Sequence, residues 1–199
     1  MIGRAEIERS LVGSWQLFLG KPDALRAFDT SIEGFWRSFQ AIALVAPLYL
    51  LTAIVERTGL FDSAIAIGAF SEEAFWATQA LTLVLDWVTF PILLAAIAGT
   101  IGIRGQYTAY IVVRNWATVI MVAPFALVSV LGASGLSADA LLIPSIVAFA
   151  FSLRFGYVIA RRTLGVGVDV AIALVVLDFL VSLAIVKLIG RLTGIEPLD

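Results

Sequence analysis

Long apolar runs, separated by short polar breaks, repeat along the chain from residue 38 to residue 189. Five stretches carry the pattern: Ser38 to Val55, Phe75 to Ile101, Tyr107 to Leu131, Leu141 to Ala160 and Val166 to Ile189. A bilayer core of about 30 Å takes about 20 helical residues, so each stretch is long enough to cross it. Backbone groups in lipid must pair within their own segment, which makes helices the spanning form. Strand-type alternation is absent. Pro47, Pro91, Pro124 and Pro144 fall inside four of the runs, where membrane helices accommodate proline by kinking. The expected fold is all-α: a bundle of five transmembrane helices.

The segment before the first run has a different period. Ile7, Leu11, Trp15, Phe18 and Leu19 recur at helical spacing, with Arg4, Glu6, Glu8 and Arg9 before or between them. This predicts an amphipathic helix lying in the membrane interface or packed on the protein's own polar end. Gly20-Lys21-Pro22 should break it. Thr30 and Glu33 have capping-box spacing for the next helix. Trp36 sits beside Arg37 at the expected lipid boundary, where tryptophan is favoured. Trp15, Phe18 and Trp36 are thus the expected interfacial anchors. The organisation is a cytoplasmic interfacial segment, 1–34, followed by a transmembrane domain, 35–199. The N-terminal residues do not have the pattern of a cleaved signal peptide.

Composition narrows the chemistry. The chain is 61% hydrophobic and 14% charged, with a net charge of −2. There is no basic excess for nucleic acid. Cysteine and histidine are both absent. That removes disulfides, a thiol nucleophile, the commonest general base and the commonest neutral metal ligand. No catalytic residue, metal site, cofactor site or cofactor is expected. Gly132-Ala133-Ser134-Gly135 matches the G-x-S-G stretch of rhomboid-type intramembrane serine proteases. A serine without a base is inert, so we read the stretch as a turn, with Ser137 capping the next helix.

Lys and Arg set the expected orientation. Alternate sides hold eight against three once the embedded Arg114 and Arg154 are set aside. The positive-inside rule puts the N-terminus in the cytoplasm and, after five spans, the C-terminus outside. The expected location is a bacterial inner (cytoplasmic) membrane.

Four charges lie deep within the runs, Asp86, Arg114, Arg154 and Asp178, while Asp169 and Lys187 lie near the two ends of the fifth. A charge at mid-bilayer costs about 2.5–3.5 kcal/mol on insertion scales, and such groups face the bundle interior or water. At ~1.5 Å per residue, Arg154 lies roughly 10 Å, and Asp178 roughly 16 Å, from the cytoplasmic ends of consecutive helices. The expectation is an Arg154–Asp178 pair. The cluster then serves either as static interhelix pairing or as a path for a proton, ion or small solute.

Two further patterns bear on packing. Arg37 to Pro47 aligns without a gap to Arg114 to Pro124, matching an arginine, an aromatic two positions on, and Val-Ala-Pro. Chance in an Ala/Val-rich chain gives such a match, and so does a parallel repeat of the kind transporters use. The match raises a boundary position for Arg114, with Tyr107 to Val113 as an interfacial lead-in. Ala95, Ala96, Ala98, Gly99 and Gly102, and the Gly190/Gly194 pair, are small enough for close helix contact.

A basic-containing N-terminal segment, five closely spaced spans and a short exterior tail in about 200 residues resembles the Yip1-type membrane proteins. The resemblance covers the whole topology but includes no diagnostic motif. The aspartate-tyrosine-glycine-proline signature of eukaryotic members is absent, and no family site residue maps onto this chain. It implies a non-enzymatic scaffold or partner-binding protein, with the lipid bilayer and other membrane proteins or a second copy as partners. A small transporter or channel component is the alternative.

Overall fold

The computed structural model describes residues 2–64 and 71–193. Seven α-helices follow in order: α1 Arg4–Phe18, α2 Ile32–Ser38, α3 Ile42–Ala64, α4 Glu72–Ile97, α5 Tyr107–Ala133, α6 Ala138–Leu164 and α7 Val168–Thr193. No strand occurs among the described residues. α2 continues into α3 through a 3-10 turn at Phe39–Ala41, so one rod runs from Ile32 to Thr58 and beyond. With this rod counted once, five helices are long and apolar enough to cross a membrane. The chain is a multi-pass, all-α membrane bundle.

The helices run past the apolar stretches at most of their ends. Ser71 and Ser137 accept hydrogen bonds from the backbone N–H groups of Ala74 and Ala140, starting α4 and α6 on polar residues outside the apolar run. α3 does not stop at the polar Glu56-Arg57-Thr58-Gly59. Glu56 accepts from Gln79, and Arg57 pairs with Glu72 across the α3–α4 hairpin, so the helix continues. Gly165, at φ 66°, ends α6 beyond Arg161 and Arg162. Ser31, not Thr30, caps α2 by accepting from Gly34 N–H. Glu33 instead lies 3.7 Å from Arg37.

The five spans form a ring. α5 packs against α3 and α6, α6 against α7, α7 against α4, and α4 closes the ring against α3. α5 and α7 face each other across it and are not a packed pair. Residues 110–117 of α5 are buried on every side. α1 and α2 complete this enclosure, because both pack on α5. The N-terminal segment contributes Leu17, Ala24 and Phe28 to the bundle's buried core.

α1 turns an unexpected face inward. Its buried residues are Ser10, Gly13, Ser14 and Leu17. A Cβ at Gly13 would stand 2.4 Å from the Ala27 Cβ, so the close approach needs glycine. Of the apolar stripe, Ile7, Leu11 and Phe18 pack on the core, but Trp15 and Leu19 are exposed, with Val12 beside them. Gly20, at φ 78°, ends the helix as the Gly20-Lys21-Pro22 sequence implies, with Lys21 N–H bonded to Gln16 C=O.

Candidate functional site

The ring's centre is built from one face each of α5 and α7. On α5, Tyr110, Arg114 and Thr118 recur every fourth residue; on α7, Asp178 and Ser182 do the same. Such spacing places them on common faces. Asp86 on α4, and Phe149, Ser152 and Gly156 on α6, complete the wall of a cavity of about 220 Å³. The cavity thus collects three of the four embedded charges.

Arg114 is buried. Its Nη2 donates to Asp178 Oδ1 at 2.7 Å, and its guanidinium carbon lies 4.9 Å from the Phe90 ring centroid. Its Nε has no hydrogen-bond partner. The arginine spans the gap between α5 and α7, which no backbone packing closes. Asp86 meets no arginine at bonding distance. It accepts a hydrogen bond from the Ser182 hydroxyl, one turn of α7 beyond Asp178. The cavity wall therefore carries two carboxylates against one guanidinium.

Arg154 is not part of this group, and the expected Arg154–Asp178 pair does not form. Asp178 is paired with Arg114 instead. The reason is azimuth. Phe149, Ser152 and Gly156 of α6 face the cavity, whereas Arg154 faces α1, with its guanidinium carbon 4.7 Å from the Phe18 ring centroid. Depth along a helix says nothing about which way a side chain points. Nor is Arg114 at an exposed boundary. Tyr107 to Val113 is the first part of α5 itself, largely enclosed by the bundle.

Of the expected anchors, Trp15 and Trp36 are exposed. Phe18 is half-buried and packs on Phe151 and Phe155 of α6, with ring centroids 4.8 and 4.9 Å away. The Gly132–Gly135 stretch ends α5 at Ala133 and turns at Ser134 and Gly135, with Ser134 Oγ donating to Leu131 C=O. Gly99 lies against the Arg104 guanidinium, and Gly190 is buried in α7; Gly194 and Asp199 lie outside the described residues.

A second ionic centre went unread in the sequence. Arg37 gathers Glu6 of α1 at 3.1 Å, Asp29 of the intervening loop, and Glu33 of its own helix. Glu33 at i−4 was visible as a pair, but Glu6 and Asp29 carry no periodic signal. The Ser31 hydroxyl and N–H, with Arg37 adding to them, hold the Asp29 carboxyl below its usual range. Beside Arg37, Ser38 accepts a hydrogen bond from the buried Asn115 Nδ2 at 2.9 Å. Ser38 and Asn115 are matched positions in the Arg37/Arg114 alignment. Matched positions meet when two helices run parallel and in register, as α3 and α5 do here.

Comparison with known protein families, with curated proteins and with solved structures finds no match in any of the three.

Proposed function

We propose that the protein is a non-enzymatic membrane carrier or channel component that takes up a proton or small cation at the Asp86–Asp178 wall of the central cavity. One observation carries the reading: two carboxylates and a single guanidinium line one cavity inside the bundle. With both acids ionised the wall has a surplus negative charge, and an uncompensated charge in lipid is costly. A proton or a cation at Asp86 removes that cost. Asp86 is the exchanging group, because its partner is a neutral hydroxyl, whereas Asp178 is paired with Arg114, which braces α7. The N-terminus and the α6–α7 connection face the cytoplasm in this reading. The membrane is a bacterial inner membrane.

Flux into liposomes of the purified protein, followed with a pH- or cation-sensitive dye, tests the proposal. Wild type should respond to an imposed gradient, and Asp86→Asn should abolish the response while unfolding at the same temperature or higher. Equal flux in wild type, Asp86→Asn and empty liposomes would sink it. Orientation is read separately. The chain has no cysteine, so Ser134→Cys should react with an impermeant maleimide added outside intact cells, and Arg9→Cys should not.

A Yip1-like scaffold is the second reading. It is favoured by the Arg114–Asp178 bridge taken as a strut between two helices that do not otherwise pack. In that case Asp86→Asn changes no flux, and membrane-protein partners or a second copy co-purify equally with wild type and Asp86→Asn.

A further inference from the structure

Away from the central cavity, a second pocket of about 250 Å³ opens between the end of α1 and the polar half of α6. Its lining includes Phe18, Gly20, Arg154, Tyr157, Arg161 and Arg162. Three arginines line it, and no carboxylate does. None of the three is in a salt bridge among the described residues. Arg154 rests on the Phe18 ring. Arg161 donates to Val166 C=O, and Arg162 reaches Gly20 C=O at 3.4 Å. Each is thus positioned by the fold without being neutralised.

The neighbourhood fits a lipid. Arg154 is exposed, and it lies roughly 10 Å along α6 from Arg161, toward the bilayer interior. An arginine there can reach back to the headgroup level. Above it on the same helical face stand Ile143 and Val147, both exposed and apolar. On the other side Trp15 and Leu19 of α1 are exposed as well. Charge at the polar end and an apolar track leading away from it match a phosphate headgroup with its acyl chain. Basic pockets between membrane helices at the cytoplasmic side bind anionic headgroups in this way. Guanidinium groups also match phosphate oxygens in geometry.

We infer that the α1–α6 pocket binds the phosphate headgroup of an anionic phospholipid, with an acyl chain along the Val147–Ile143 face of α6. The site fastens α1 to the bundle from the lipid side. It is independent of the central cavity and of what that cavity carries.

The test is thermal unfolding of the full chain in neutral detergent micelles. Doping with phosphatidylglycerol should raise the apparent Tm by about 5 °C at saturation. Phosphatidylcholine, or inorganic phosphate at the same concentration, should leave it within error. The rise should vanish in Arg154→Gln/Arg162→Gln and persist in Arg9→Gln, which removes a charge from the outer part of α1. Should the double variant not fold, Arg162→Gln alone should at least halve the rise; the change removes a hydrogen bond of 3.4 Å to the Gly20 carbonyl. An equal rise with phosphatidylcholine or with inorganic phosphate would overturn the inference. So would an undiminished rise in the Arg162 variants, or an equal loss in Arg9→Gln.

Discussion

Arg37 and Arg114 stand at matched positions of two stretches that share an arginine, an aromatic two residues on, and Val-Ala-Pro. Their neighbours Ser38 and Asn115 touch. From there the two regions diverge. Arg37 turns back toward the polar end and collects Glu6, Asp29 and Glu33, three acids for one base. Arg114 turns into the ring and finds one carboxylate, one aromatic face and no partner for Nε. The first centre is partly open to solvent, so each of its pairs is screened and replaceable. In the second the arginine is buried, at 10% exposure against 28% for Arg37, and although Asp178 keeps 29% their one pair has no substitute. Similar sequence yields a redundant clamp at one level and a single strut at the other, and the difference lies in what each guanidinium can reach.

The largest expected effect is at the strut. Arg114→Ala leaves Asp178 charged inside the ring, and breaking a buried pair from one side costs about 3–5 kcal/mol. Arg114→Met with Asp178→Leu should recover most of that, measured by unfolding in detergent. Full recovery with lost flux would assign Arg114 a part in transport as well as in packing. If Arg114→Ala is as stable as wild type, the strut is not closed and the contrast with Arg37 fails.

Gly34 comes next. It sits under the clamp, and a Cβ there would stand 2.1 Å from the Asp29 carbonyl oxygen. Gly34→Ala must shift the loop that presents Asp29 to Arg37, at an overpacking cost of about 1–3 kcal/mol. Thermal unfolding and proteolysis between α1 and α2 should both register it.

Arg37→Gln should cost less than either change. Its effect should shrink as salt rises, since the clamp is partly exposed and ionic strength screens it. An Arg37→Gln loss that does not vary with salt would mean the clamp is as closed as the strut.

The smallest effect is in acid. Asp29 is held below its ordinary value of 3.8 in the folded chain. A carboxyl with a lowered native pKa adds stability that is complete above the unfolded value. That stability is lost as pH falls through about 4 toward the folded value. Asp29→Asn should therefore flatten the acid limb of Tm against pH and leave the neutral region nearly parallel.

How far the sequence reveals this molecule depends on the kind of signal. The five spans are legible because each needs only an apolar run of bilayer length. Their ends are less so: Ser137 is legible as the cap of α6, but Ser71 begins α4 outside its run and Glu56 finds a partner on the next helix. Asp86, Arg114 and Asp178 announce themselves by being charged in lipid. The pairing of Arg114 with Asp178 does not, because α5 and α7 are brought face to face by the ring, not by adjacency in the chain. Arg154 lies in the same half of the bilayer as Asp178 on the neighbouring helix but faces α1, and depth along a helix carries no direction. The fourth-residue repeats Tyr110–Arg114–Thr118 and Asp178–Ser182 would have supplied the direction.

The packing of α1 and α2 on α5 also has a consequence for biogenesis. The surface they need does not exist until α3 and α4 have been made, a delay of roughly 5–20 s at typical elongation rates. Through that interval the buried face of α1 has only the turn at Ala24–Ala27 to rest on, while Val12, Trp15 and Leu19 can already sink into the headgroup layer. The first helix made therefore completes its packing late, once α5 exists. The inserting chain is unfinished until α5 arrives beneath it.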